Sequence, residues 1–118
     1  MTSKSPVRVD FAPEVLRVLK RLRKKYPNVA ADLKDLTDRL EQGETPGDQI
    51  QGVGYTVYKA RVRNQDTQKG KSGGYRVIYY VRTANSVIVI TMYAKSERAD
   101  VSTGRIKQII EEYEQPEA

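Results

Sequence analysis

The sequence contains no cysteine, no histidine and no tryptophan. Without cysteine there are no disulfides and no thiolate metal sites, and nothing indicates an oxidising compartment. Without histidine there is no imidazole base, and the carboxylates show no paired spacing of the kind that glycosidases use. Lysine, arginine and tyrosine are therefore left to carry any chemistry. We predict neither a metal site nor a cofactor.

The sequence also lacks long apolar runs. No segment approaches the roughly 18 apolar residues of a membrane span, and the polar N-terminus has no apolar core of signal-peptide length. We therefore expect a cytoplasmic protein with no membrane partner. A length of 118 residues fits a single domain, 1–118, and we expect 1–6 and 114–118 to be loose.

Positive charge is abundant. The chain has 21 lysines and arginines against 15 aspartates and glutamates, which gives a net charge of +6. Such a balance favours acidic partners, for example nucleic acid or an acidic protein segment.

The first half of the chain predicts a short edge strand followed by two helices. Apolar and charged residues alternate from Val7 to Phe11, and helical spacing begins after Pro13 and should stop before Pro27. Asn28 is a candidate cap for the second helix, and Gly43 can close it. The apolar stripes of the two helices are Val15, Leu16, Leu19 and Leu22, and Val29, Leu33, Leu36 and Leu40.

The second half predicts three strands, over 58–63, 74–82 and 87–95, and a last helix that Ser102 could cap. Residues 42–56 are rich in glycine and proline and predict a connection. The fold class is therefore α+β. We expect a small antiparallel sheet of about four strands in the order β-α-α-β-β-β-α, with the helical hairpin packed on one face and a C-terminal helix.

Basic side chains recur at every other residue in the three later strands. Because alternate side chains of a strand share one face, these residues can meet if the strands are neighbours in register. The surface would bring together the basic residues Lys59, Arg61, Arg76 and Lys95 and the phenol of Tyr93. Such a surface would attract phosphates, although an ordinary solvated sheet face has the same pattern.

Lysine, arginine and tyrosine can cleave RNA without a metal. One group removes the proton from a ribose 2′-hydroxyl while others hold the adjacent phosphate and its developing charge. Neighbouring cations disfavour the charged form of a lysine and so make it a better base. The glycine-rich segment around Lys69 and Lys71 lacks the spacing of a nucleotide-binding phosphate loop and precedes a strand, which argues against that use.

The order of these elements, together with three motifs, resembles the RelE/ParE superfamily of toxins, and most closely its RelE/HigB-like branch. The motifs are Tyr58-Lys59-Ala60-Arg61-Val62-Arg63, Gly74-Tyr75-Arg76-Val77-Ile78-Tyr79-Tyr80 and Tyr93-Ala94-Lys95-Ser96-Glu97-Arg98. The resemblance implies the toxin of a type II toxin-antitoxin pair, an endoribonuclease that cleaves messenger RNA in the ribosomal 30S A site and is silenced by a cognate protein antitoxin.

The resemblance also implies roles for the basic residues. Lys59 and Arg61 match a basic pair that serves as base or phosphate ligand, and Arg76 matches an arginine that stabilises the scissile phosphate. Lys95 is the candidate second acid or base, with Tyr93 as an orienting or stacking group. The RNA track would be extended by Arg63, Lys69, Lys71 and Tyr80.

This sequence departs from the RelE pattern at two positions. Ser96 stands where a second arginine is common, and Ser102 where a tyrosine is common. The mechanism is therefore expected to be rearranged in this chain. Two other functions stay open at this point: a ParE-like inhibitor of DNA gyrase, and an RNA-binding protein without turnover.

Overall fold

The computed structural model describes residues 6–67 and 73–115. Lys69 and Lys71, and most of the chain ends predicted to be loose, lie outside these residues. The described elements are β1 (Arg8–Phe11), α1 (Pro13–Lys25), α2 (Val29–Glu41), β2 (Asp48–Gln49), β3 (Val57–Val62), β4 (Tyr75–Thr83), β5 (Ser86–Ala94) and α3 (Thr103–Glu114). In the described part of the chain, no helix is long and apolar enough to cross a membrane.

The strands form one five-stranded sheet in the order β1-β5-β4-β3-β2. Strand β1 runs parallel to β5, and the other pairings are antiparallel. The α+β class and the general order of elements are confirmed. The expectation of an antiparallel sheet with about four strands is wrong in two respects, because β1 is parallel and β2 adds a fifth strand.

The helical hairpin begins and ends close to the predicted residues. Helix α1 has a proline in its first turn and stops at Lys25, before Pro27. Helix α2 ends with Gly43 in a left-handed conformation, φ 90°, and the Gly43 N–H reaches the carbonyl oxygen of Leu40 at 3.0 Å. Asn28 occupies the N-cap position of α2, but its side chain does not cap the helix; it donates to Asp66 Oδ1 at 2.8 Å.

The two faces of the sheet bury different helices. Most of the apolar stripes of α1 and α2, including Leu22 and Leu40, pack with Tyr75, Val77 and Tyr79 on one face. The prediction is wrong for Leu16, which is 55% exposed and does not join this cluster. The opposite face packs against α3 through an apolar cluster that contains Val57, Ile78, Ile88, Ile90, Ile106, Ile109 and Ile110. Ser102 caps α3 as predicted, by accepting a hydrogen bond from the Arg105 N–H at 3.1 Å. The basic residues lie on the same face of the sheet as α3, at its other end.

Candidate functional site

Strand pairing brings the central basic residues side by side. Arg61 of β3 pairs with Arg76 of β4, and Arg76 pairs in turn with Tyr93 of β5. Lys59 lies two residues before Arg61 and so shares its face of the sheet. The alternation that the sequence shows therefore becomes one continuous row of side chains across three strands.

Arg76 is buried, with 7% of its surface exposed. Its Nη1 donates to the carbonyl oxygen of Tyr75 at 3.4 Å, and within the described residues no carboxylate lies within 4.0 Å of its guanidinium. A buried charge without an opposite charge is costly to the folded protein. Arg76 is therefore a cation whose environment is improved by a bound anion.

The loop that follows β5 places a carboxylate among these cations. Asp100 Oδ1 accepts hydrogen bonds from Lys59 Nζ at 3.2 Å and from the Tyr93 hydroxyl at 3.4 Å. It also accepts from the Val101 N–H at 2.8 Å. The pKa of Asp100 lies below its ordinary value, chiefly because of the Val101 N–H and also because of Lys59. Asp100 is therefore ionised at neutral pH.

Tyr93 is a proton donor in this setting. Its ring is buried, and its hydroxyl lies 3.4 Å from the carbonyl oxygen of Ala99 as well as near Asp100. Burial raises the pKa of Tyr93 above its ordinary value, and the charge of Asp100 raises it further. The phenol therefore keeps its proton at neutral pH and can donate it to an oxygen.

Two further cations lie on the same loop. Lys95 directly follows β5, and its Nζ lies 3.4 Å from the Ala99 carbonyl oxygen. Arg98 Nε donates to the Asp100 carbonyl oxygen at 3.1 Å. Both side chains are exposed. The sequence reasoning missed Asp100 and Arg98, because the only signal was a short charged segment between a strand and a helix cap, and its fold could not be inferred.

A groove of about 910 Å³ runs beside the row, between α2 and β3. Lys59, Arg61 and Arg63 line its β3 side, and Asp32, Asp35 and Arg39 line its α2 side. Arg63 is exposed immediately after β3, so the basic track continues past the strand end.

Other predicted residues lie elsewhere. Tyr80 packs edge-on against Tyr55, with ring centroids 5.4 Å apart, in the part of the face that α3 covers. The structure does not bring it to the Arg76 row. Ser96, where the RelE pattern often has arginine, lies 3.3 Å from the Tyr26 hydroxyl and so contacts the helical hairpin.

Together these features define a small α+β protein with a row of cations and one phenol suited to a phosphate group. A family model for the RelE toxin of the RelE / RelB toxin-antitoxin system matches residues 16–114. The chain therefore belongs to the RelE toxin family. It is the toxin of a toxin-antitoxin system, and its family implies a protein antitoxin as its partner.

Proposed function

We propose that this toxin inhibits translation by cleaving messenger RNA on the ribosome. The observation that carries the proposal is the row formed by Arg61, Arg76 and Tyr93, in which the buried Arg76 has no carboxylate partner within the described residues. Such a row suits a phosphodiester, whose negative charge increases during the reaction. The mechanism that we propose is of the RelE/HigB type.

The reaction is an attack of a ribose 2′-hydroxyl on the adjacent phosphorus. The new bond joins the 2′-oxygen to phosphorus as the bond from phosphorus to the 5′-oxygen breaks. The products are a 2′,3′-cyclic phosphate and a 5′-hydroxyl, and the step needs neither water nor a metal. The protein must hold the phosphate, accept one proton and return one to the leaving oxygen.

We assign these roles with the support of the contacts in the row. Arg76 and Arg61 bind the non-bridging phosphate oxygens, and the Tyr93 hydroxyl turns its one proton from Asp100 to a phosphate oxygen when RNA is bound. Lys59 Nζ donates to the Asp100 carboxylate at 3.2 Å, which holds it beside the row, and we assign it the donation of a proton to the leaving 5′-oxygen. Lys95 has no carboxylate within 4.0 Å among the described residues and is the candidate base. The RNA track continues through Arg63, and we extend it to Lys69 and Lys71.

The partners follow from charge and family. We propose that the toxin works in the cytoplasm at the 30S A site, where the ribosome presents messenger RNA to the basic row. Its net charge of +6 suits an antitoxin with an acidic segment. Covering the row would silence the toxin.

The test is to induce the toxin with and without the neighbouring reading frame and to map RNA 5′ ends across the transcriptome. New 5′-hydroxyl ends within coding regions are expected in cells that express the toxin alone. With purified toxin, programmed ribosomes should yield fragments whose 3′ ends become extendable only after the cyclic phosphate is removed.

Two results would contradict the proposal. Intact transcripts together with gyrase-linked DNA breaks would instead identify a gyrase inhibitor. Intact transcripts that co-purify with the toxin would identify an RNA-binding protein without turnover.

A further inference from the structure

The Asp100 carboxylate is the one acidic group that the described residues place in hydrogen-bonding contact with the basic row. A single oxygen, Oδ1, accepts from Lys59 Nζ at 3.2 Å and from the Tyr93 hydroxyl at 3.4 Å. We infer that Asp100 is a positioning residue that holds Lys59 and Tyr93 beside Arg76, ready for the scissile phosphate. The inference rests on the ribonuclease function proposed above.

The residues that directly follow Asp100 hold its carboxylate in place. The Val101 N–H binds Oδ1 at 2.8 Å, and the Val101 side chain is buried in the cluster beneath α3. The next residue, Ser102, caps α3. The Asp100 carboxylate is thus attached to the core and to the start of a helix, so it can act as a fixed point for a more mobile partner.

The same loop is anchored at its other side by Glu97. One Glu97 oxygen lies 3.0 Å from Arg21 Nη1, and the other lies 3.7 Å from Lys25 Nζ. Both partners belong to α1, outside the basic row. Glu97 therefore holds the loop without contacting the site, and it offers a matched control for Asp100.

Lys59 needs such a fixed point more than its neighbours do. Its side chain has four flexible carbons, and it shares a sheet face with the guanidinium groups of Arg61 and Arg76. Like charges repel, so without an opposite charge the ammonium would turn away from the row. Among the described carboxylates only Asp100 lies within 4.0 Å of Lys59 Nζ.

If the contact between Lys59 and Asp100 is only a surface ion pair with no role in turnover, the expected results differ. An acidic group on an RNA-binding face repels phosphates, so its removal should strengthen RNA binding and leave the chemical step unchanged. A positioning role requires the opposite for turnover, because the loss of Asp100 leaves Lys59 and Tyr93 misplaced. The two cases differ in how kcat and KM respond.

The experiment compares Asp100→Asn, Asp100→Ala and Glu97→Gln in steady-state cleavage of ribosome-bound messenger RNA. We expect Asp100→Asn to lower kcat by about tenfold to a hundredfold, since misplacing a reacting group by about 1 Å costs a factor of that order. KM should stay unchanged or fall. Asparagine keeps an acceptor for Val101 and Tyr93, so Asp100→Ala should be slower than Asp100→Asn. Glu97→Gln should keep the parental kcat.

A second measurement does not depend on cleavage. In carbon-13 NMR spectra of the folded variants, the Tyr93 ring and Lys59 Cε signals should move in Asp100→Asn and stay in place in Glu97→Gln. If these signals move but the parent protein cleaves no RNA, the proposed function fails. If the parent cleaves RNA and Asp100→Asn matches it, or Glu97→Gln loses as much kcat, the positioning role is overturned.

Discussion

Strand β4 carries an arginine near each end of the same sheet face, and the surroundings of the two differ sharply. Arg82 has a side chain that is 49% exposed, and its Nη2 lies 3.1 Å from Glu114 Oε2 on α3. Arg76 is 7% exposed and has no carboxylate within 4.0 Å among the described residues. A basic residue at alternating spacing is thus not by itself a sign of function. Arg76, which we assign to chemistry, is buried without an opposite charge, whereas Arg82, which supports the fold, is exposed and paired.

The largest expected effect is on turnover, when alanine replaces either arginine. Arg76→Ala should lower kcat by about a hundredfold to a thousandfold, the usual cost of removing one donor that stabilises developing negative charge. Arg82→Ala should leave kcat unchanged, because its guanidinium contacts α3. Single-turnover cleavage of ribosome-bound RNA measures both.

Because Arg76 is buried, Arg76→Lys is a useful second variant. It keeps the positive charge but loses the forked donor geometry, so it should fold and still be slow. A fully active Arg76→Lys or Arg76→Ala variant would remove the contrast between the two ends of β4.

The next effect tests whether the end of the sheet that α3 covers contributes only stability. Ile110 belongs to α3 and is fully buried against the sheet, so Ile110→Ala should lower the free energy of unfolding by about 2–5 kcal/mol. The kcat per folded molecule should not change. Urea unfolding gives the first quantity and active-site titration the second, with the exposed Lys107→Ala on the same helix as control. A large loss of kcat in folded Ile110→Ala would show that α3 also supports the chemistry.

The smallest expected effect is on the salt dependence of RNA binding. Arg61 is exposed beside Arg76, so Arg61→Ala should remove one phosphate contact and reduce the slope of log K against log salt by about 0.7. Arg82→Ala should leave the slope unchanged. Fluorescence anisotropy with a non-cleavable 2′-O-methyl RNA at several salt concentrations measures this. Equal slopes for the two variants would mean that RNA does not bind preferentially at the Arg76 end of β4.

Much of the fold could be predicted because local patterns and tertiary contacts agree. The stripe from Val29 to Leu40, the glycine at 43 and the cap at Ser102 all predicted what the structure contains. The direction of β1 could not be predicted, since alternation looks the same in a parallel and an antiparallel strand. Strand β2 has only two residues, Asp48–Gln49, and is too short to show any alternation.

The site was predictable where it depends on strands and unpredictable where it depends on a loop. Once β3, β4 and β5 are neighbours, the spacing of Arg61, Arg76 and Tyr93 places them in one row. Asp100 reaches the row only because the segment after Lys95 folds back over it, and no periodic signal encodes such a path. The side chain of Asn28 was likewise misassigned, because its partner Asp66 lies 38 residues away in the sequence.

Strand β2 pairs only with Tyr58 and Lys59, so within the described residues the outer edge of β3 beyond Lys59 has no neighbouring strand. An open strand edge can recruit a strand from another molecule, and charged side chains are a common protection against this. The exposed Arg61 and Arg63 lie at this edge. The charges to which we assign RNA binding therefore also oppose edge-to-edge pairing of two toxin molecules. Variants that neutralise them should be checked for aggregation before a loss of activity is attributed to catalysis.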